Sequence, residues 1–246
     1  LLGKRVPESL KITLVAIAIL DDIAAIVIIA LFYTDNISVA SLIVSSVAIA
    51  VLALMNYRKV TAITPYMLVG LVLWAAVLKS GVHATLAGVL LAFFIPMKGI
   101  NSRGVEYSPV KRLEHSLHPS VAYAILPIFA FANAGVSLQG LSFDLLMQPI
   151  TLGIIAGLFF GKQIGVMLMS FLAVSFKLCR LPEGVSWMQY YGMALITGVG
   201  FTMSLFIGTL AFADVEHQTA VRLGVIVGSL LSGIVGYSVL RVSSRG

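Results

Sequence analysis

From Leu10 to Tyr33 the only charged residues are Lys11, Asp21 and Asp22, and apart from Thr13 and Tyr33 everything else is apolar. A run of that length has few homes. Wound as a helix at 1.5 Å per residue it covers a hydrocarbon core about 30 Å thick, and a helix satisfies its own backbone where lipid offers no partner. Comparable windows recur at approximately 10–33, 39–57, 64–78, 82–96, 116–134, 151–175, 189–212 and 220–240. The composition agrees, with 59% apolar against 11% charged residues and a mean hydropathy of +1.04. A soluble domain, a disordered tail and a disulfide scaffold are excluded, the last by a single cysteine, Cys179. A membrane barrel is excluded because its strands would alternate apolar and polar positions. The sequence therefore predicts an all-α polytopic membrane protein with about eight transmembrane helices in one transmembrane domain over 1–246. The third and fourth windows are short and joined by Lys79-Ser80-Gly81. They read as two crossings or as a re-entrant pair.

Net charge is +6. In a soluble chain this would suggest nucleic acid, but here the basic residues flank apolar runs and read as orientation signals. With the amino end inside, thirteen fall on the cytoplasmic side: Lys4, Arg5, Lys11, Arg58, Lys59, Lys98, Arg103, Lys111, Arg112, Lys177, Arg180, Arg241 and Arg245. Lys79 and Arg222 fall outside and Lys162 within a span. Both ends are thus expected in the cytoplasm. Merging the third and fourth windows into one crossing would destroy this asymmetry. The chain opens on Leu1-Leu2-Gly3, and its first apolar run is too long for a cleaved signal core and holds two aspartates, so the segment reads as cut from a longer chain. Cys179, beside Lys177 and Arg180, reads as an inert reduced thiol.

Three ionisable residues stand near mid-span: Asp21, Asp22 and Lys162. Placing a charge at that depth costs about 2.5–3.5 kcal/mol on insertion scales, and such groups usually mark ion or proton pathways. A lysine can neutralise one carboxylate. Adjacent helical residues point about 100° apart, however, so one lysine does not easily serve both. The remaining carboxylate must be protonated, face a hydrated cavity or bind a cation, and exchange of H⁺ for a hard cation follows from the interchange of those states.

Span 151–175 carries Gly153, Gly157, Gly161 and Gly165 at intervals of four, and span 220–240 repeats the pattern with Gly224, Gly228, Ser232 and Gly236. Both read as packing ridges that let backbones approach closely. Span 189–212 differs, concentrating Thr197, Gly198, Gly200, Thr202 and Ser204 at its midpoint. A helix interrupted there would offer free backbone ends to an ion at membrane depth, while an unbroken helix with a soft centre is the alternative. Lys111, Arg112, Glu114, His115 and His118 crowd the entrance of span 116–134. The i, i+4 pair Glu114 and His118 lacks the further ligands a metal needs, which leaves a pH-sensing cluster or an ordinary solvated interface. His83 reads as a helix-end histidine and His217 as surface.

Several stretches carry a resemblance along the whole chain: Ala18-Ile19-Leu20-Asp21-Asp22-Ile23-Ala24-Ala25-Ile26, Leu78-Lys79-Ser80-Gly81-Val82-His83-Ala84-Thr85-Leu86-Ala87-Gly88, Lys111-Arg112-Leu113-Glu114-His115, Phe131-Ala132-Asn133-Ala134-Gly135 and Gly198-Val199-Gly200-Phe201-Thr202-Met203-Ser204. Together they resemble the NhaA family of bacterial sodium/proton antiporters, specifically the C-terminal two-thirds of its chain. The resemblance implies an inverted-repeat transporter fold with a discontinuous helix over Thr197–Ser204. By the same resemblance Asp22 carries the exchanged Na⁺ or H⁺, Asp21 pairs with Lys162, and Glu114, His115 and His118 form the pH-responsive cytoplasmic entrance. It further implies a secondary active transporter rather than an enzyme, without a cofactor, exchanging Na⁺ or Li⁺ outward for H⁺ electrogenically in the bacterial inner membrane. Members extend further at the amino end by about four helices, which supply the first discontinuous helix and the hairpin of the homodimer. Those helices are not among these residues.

Two rivals are weighed on the residues. An intramembrane aspartyl protease needs carboxylates facing one another across two helices, whereas Asp21 and Asp22 are consecutive. A proton-conducting subunit of a larger membrane complex would show a file of ionisable groups through several spans, and here they cluster in two, whereas a structural subunit would require both aspartates to be fully paired.

Overall fold

The computed structural model describes residues 6–33, 38–100, 104–135, 143–212 and 214–244. Lys4, Arg5, Arg103 and Arg245 of the charge asymmetry lie outside them. The chain forms two compact units, one of Leu1–Asp22 with Ile128–Gly246 and one of Ile23–Pro127. Helix α1 (Glu8–Phe32) contains the division, between Asp22 and Ile23.

The second unit continues through α2 (Val39–Tyr57), α3 (Ile63–Lys79), α4 (Thr85–Phe94), the two-residue antiparallel strands β1 (Gly99–Ile100) and β2 (Glu106–Tyr107), and α5 (Pro109–Ser120). Its core gathers Leu52, Tyr66, Leu73, Val77 and Ile95. Ser38 caps α2 by accepting from the Ser41 amide, and the Asn56 side chain donates to Phe94 O at 2.7 Å. His83 meets Tyr33 O at 3.0 Å, a helix-end histidine that ties two connections together. The small strand pair is an element the all-α reading did not contain. It forms where apolar periodicity lapses after Pro96 and the Tyr107 hydroxyl can donate to Thr61 O at 3.3 Å.

After α5 the chain widens into a π-turn, Val121–Ile125, before α6 (Leu126–Asn133). Pro119 and Pro127 flank this turn, and each removes an i→i−4 donor, so the helix continues only by loosening between them.

The first unit holds α6 from Ile128 on, the short α7 (Phe143–Met147), α8 (Pro149–Ala156), a second π-turn (Gly157–Gly161), α9 (Lys162–Ser175), α10 (Trp187–Ile196), α11 (Phe201–Ala211) and α12 (Val215–Ser243). Helix α12 packs on α8, α10 and α11. Its ridge of small residues works as contact surface: a Cβ at Gly224 would stand 3.0 Å from Ile154 Cβ, and one at Gly236 3.1 Å from Gly192 O. The equal spacing at Gly153, Gly157 and Gly165 does not, because a Cβ there meets nothing within 4 Å. That ridge was expected to pack. Glycine spacing alone does not say whether a neighbour exists, and here two of its members bracket the π-turn instead.

Among the described residues four helices are long and apolar enough to cross a membrane, namely α1, α2, Pro149–Ser175 and α12, and the bent pair α10–α11 qualifies as a fifth. Large apolar side chains point outward on these and other helices, Phe131 being 91% and Leu20 67% exposed. In a soluble protein that distribution would be an aggregation liability; it suits a lipid-facing surface.

Candidate functional site

The first half of α1 carries Leu10, Leu14 and Ile17 at i, i+4 and i+7, a single helical stripe, and these pack with Val166, Met167, Tyr190, Met193 and Leu240. Asp21 is the next position on that stripe. On α9, Lys162 lies one turn before Val166. The stripe therefore delivers Asp21 to Lys162, whose ammonium donates to the Asp21 carboxylate in an ion pair. Asp22 points off the stripe by about 100°, and its carboxylate accepts no hydrogen bond from the described residues. Helical geometry thus separates the two acids, one neutralised and one left to meet something else.

Lys162 follows directly on the second π-turn, and its amide donates to Gly157 O five residues back. Leu158 and Gln163, also five apart, are both buried, as that wider spacing requires. Gln163 Nε2 donates to Phe159 O at 2.6 Å, and Gln163 Oε1 accepts from Tyr191 OH at 2.7 Å.

Between Ile196 and Phe201 the helix breaks, with 43° between α10 and α11. Close approach is the physical cause. A Cβ at Gly198 would collide with Leu158 O and the Ser232 hydroxyl, and one at Gly200 with the Ser204 hydroxyl and, at 2.9 Å, Leu158 Cδ2. The carboxyl end of α10 is closed locally, by Thr197 Oγ1 donating to Ala194 O at 2.6 Å and Gly198 N to Leu195 O at 3.0 Å. No side chain caps the start of α11. Thr202 lies half-buried in its first turn. Ser229 and Ser232 hydroxyls are buried without a hydrogen-bond partner among the described residues. A cavity of about 330 Å³ lies beside α11, lined by Gly157, Leu158, Lys162, Ser204, Phe212 and Val225 among others.

Glu114, His115 and His118 lie exposed on α5, in the second unit. Among the described residues no three His, Cys, Asp or Glu side chains gather as a metal site. At the start of α12, Asp214 accepts from the His217 amide at 2.8 Å and holds the His217 ring, which stacks on Phe212 at 5.5 Å. That bond keeps the Asp214 carboxyl below its usual range. His217 is exposed, as its surface reading expects, and these contacts fix its ring at the start of α12.

The residues that the sequence reading missed are Gln163 and Tyr191, while Ser232 entered it only as part of a packing ridge. A glutamine beside a lysine inside an apolar run was the available signal, because it needs a partner there.

The family model for Na⁺/H⁺ antiporter 1 matches residues 1–240. Among curated relatives, the Na⁺/H⁺ antiporter NhaA of Psychrobacter cryohalolentis is 55% identical over 245 residues, covering 100% of this chain and 61% of the relative. That of Escherichia coli O139:H28 is 57% identical, covering 100% and 63%. That of Salmonella paratyphi B is 58% identical, covering 98% and 62%. The chain spans a little over three-fifths of the length of these relatives. With the match running nearly end to end through the aspartate pair, the lysine and the broken helix, the chain belongs to the Na⁺/H⁺ antiporter 1 family.

Proposed function

We propose that this chain carries the exchange centre of a sodium/proton antiporter. The observation that bears most weight is the division of labour between adjacent acids: Asp21 is paired with Lys162, while the Asp22 carboxylate accepts no hydrogen bond from the described residues. In this reading Asp22 alternately holds H⁺ and Na⁺ or Li⁺. A carboxylate suits both, being titratable and a hard oxygen ligand. The Asp21–Lys162 pair keeps the second acid neutralised, so that one carboxylate rather than two meets the cation.

The break at Thr197, Gly198 and Gly200, with Thr202 following, supplies backbone dipoles at the same depth, as discontinuous helices do in secondary transporters. Na⁺ leaves the cytoplasm and H⁺ enters by alternating access, with net charge movement. Glu114, His115 and His118 form a pH-responsive cytoplasmic entrance. The protein resides in the bacterial inner membrane with both ends of this chain in the cytoplasm, and at its natural full length forms a homodimer. The activity belongs to the whole protein.

The test is ΔpH-driven Na⁺/H⁺ exchange in everted membrane vesicles, comparing this chain, the protein at its natural full length, and Asp22→Asn in the active form. Loss of exchange in Asp22→Asn supports the reading, and exchange that survives the substitution refutes it.

A further inference from the structure

Gln163 sits beside Lys162 and has no part in the exchange reading. In an uninterrupted α-helix Leu158 would share its stripe with Lys162, four positions on. Here the buried partner of Leu158 is Gln163, five positions on, because the π-turn Gly157–Gly161 has inserted one extra residue. The turn closes through the Lys162 amide onto Gly157 O, so Lys162 is the residue whose azimuth it sets. Its sequence does not hold the turn in place. Gly157, Gly161 and Gly165 present no side chain, and a Cβ at any of them would touch almost nothing, so the extra residue can migrate along this stretch. The step that carries it past Lys162 would swing that residue about 100° around the helix axis, away from Asp21.

One side chain opposes that migration. Gln163 is only 6% exposed; it donates to Phe159 O inside the turn at 2.6 Å and accepts from Tyr191 OH on α10 at 2.7 Å. We propose that Gln163 and Tyr191 are positioning residues, a clamp that pins the π-turn and so fixes the direction in which the Lys162 ammonium reaches Asp21. This rests on the reading of the Asp21–Lys162 pair as part of the exchange centre. Among the described residues the ionisable groups that face Lys162 are Asp21 and Asp22 on α1, while Tyr191 on α10 reaches Gln163.

Initial exchange rates against Na⁺ concentration, in everted vesicles holding the natural full-length protein, test the clamp with Gln163→Met, Tyr191→Phe, the double variant and Lys162→Ala. Each single clamp variant raises the KM for Na⁺ by about five- to tenfold, the effect of one hydrogen bond ceasing to bias an equilibrium, with maximal rate and membrane abundance little changed. The double variant is no worse than the worse single, because both act through one contact. Unchanged KM in both clamp variants, a loss confined to maximal rate, or additive effects in the double variant overturns the clamp. If Gln163→Met does not accumulate, Tyr191→Phe decides, since it removes one oxygen without changing shape. Lys162→Ala separates the failures. If it leaves KM unchanged the ion-pair reading falls; if it alters KM while both clamp variants do not, only the clamp falls.

Discussion

The Leu158 carbonyl oxygen, in the π-turn before α9, fills the space that a side chain at Gly198 would need. Two irregular segments far apart in sequence thus meet backbone to backbone, and the break in α10–α11 exists where that contact is made. Gly198→Ala forces the contact apart and costs about 1–3 kcal/mol, as other overpacked substitutions do. Gly153→Ala, where a Cβ meets nothing within 4 Å, is neutral or stabilises by up to about 1 kcal/mol through helix propensity. Thermal melting of the purified protein in detergent checks both, and equal effects at the two sites would contradict the packing described.

The ion pair of Asp21 and Lys162 is tested by a double-mutant cycle. Asp21→Asn and Lys162→Met each strand a charge in an apolar setting, and the double variant strands none. A coupling of about 1–3 kcal/mol is expected from melting, with the double variant more stable than the sum of singles predicts. Additive singles would mean that the pair contributes nothing to the fold.

Asp214 gives a pH dependence of defined sign. Its carboxyl is held below its ordinary range by the hydrogen bond from His217. A depressed folded pKa contributes stability that is present above the unfolded carboxylate value of about 4 and is lost as pH falls through the lower folded value. Amide exchange at His217 and Gln218 should therefore stay slow down to about pH 4 and lose protection below it. Asp214→Asn removes that acid dependence, and persistence of the dependence in this variant would assign it to another group.

Helices α2 and α9 both end in a left-handed residue that is not glycine, Lys59 at φ 56° and Lys177 at φ 58°. In each, the next residue's amide reaches back to close the end, Val60 N to Met55 O at 3.0 Å and Leu178 N to Ala173 O at 2.9 Å. Lys177→Gly relieves the Cβ strain and raises stability by about 0.5–1 kcal/mol after glycine's entropy cost, whereas Lys177→Ala, which removes the charge but keeps the strain, does not. Calorimetry on the two variants distinguishes them.

Much of the helical layout was legible because lipid imposes a length and a composition on each helix: the apolar windows 39–57 and 64–78 nearly coincide with α2 and α3. The helix ends were less legible. Window 220–240 stops short of α12, Val215–Ser243, since a polar Asp214 cap and a charged last turn extend the helix beyond its apolar part. The glycines were ambiguous for a related reason: identical spacing marks a packed ridge on α12 and an open face on α8 and α9, and only a neighbour's presence tells them apart.

By itself the sequence determined that these helices are apolar and that Asp21, Asp22 and Lys162 lie within apolar runs, while at residues 197–204 it left a broken helix and an unbroken one with a soft centre both open. Helix period and hydropathy are local properties, and they require no partner to be known. Which aspartate faces Lys162 was expected from the family resemblance, but its physical reason is tertiary, because the answer depends on the Leu10, Leu14 and Ile17 stripe finding Val166 and Tyr190. Tertiary structure alone decided where the extra residue of the π-turn settles, since Gln163 pins that turn only when Tyr191, from another helix, stands within hydrogen-bond reach.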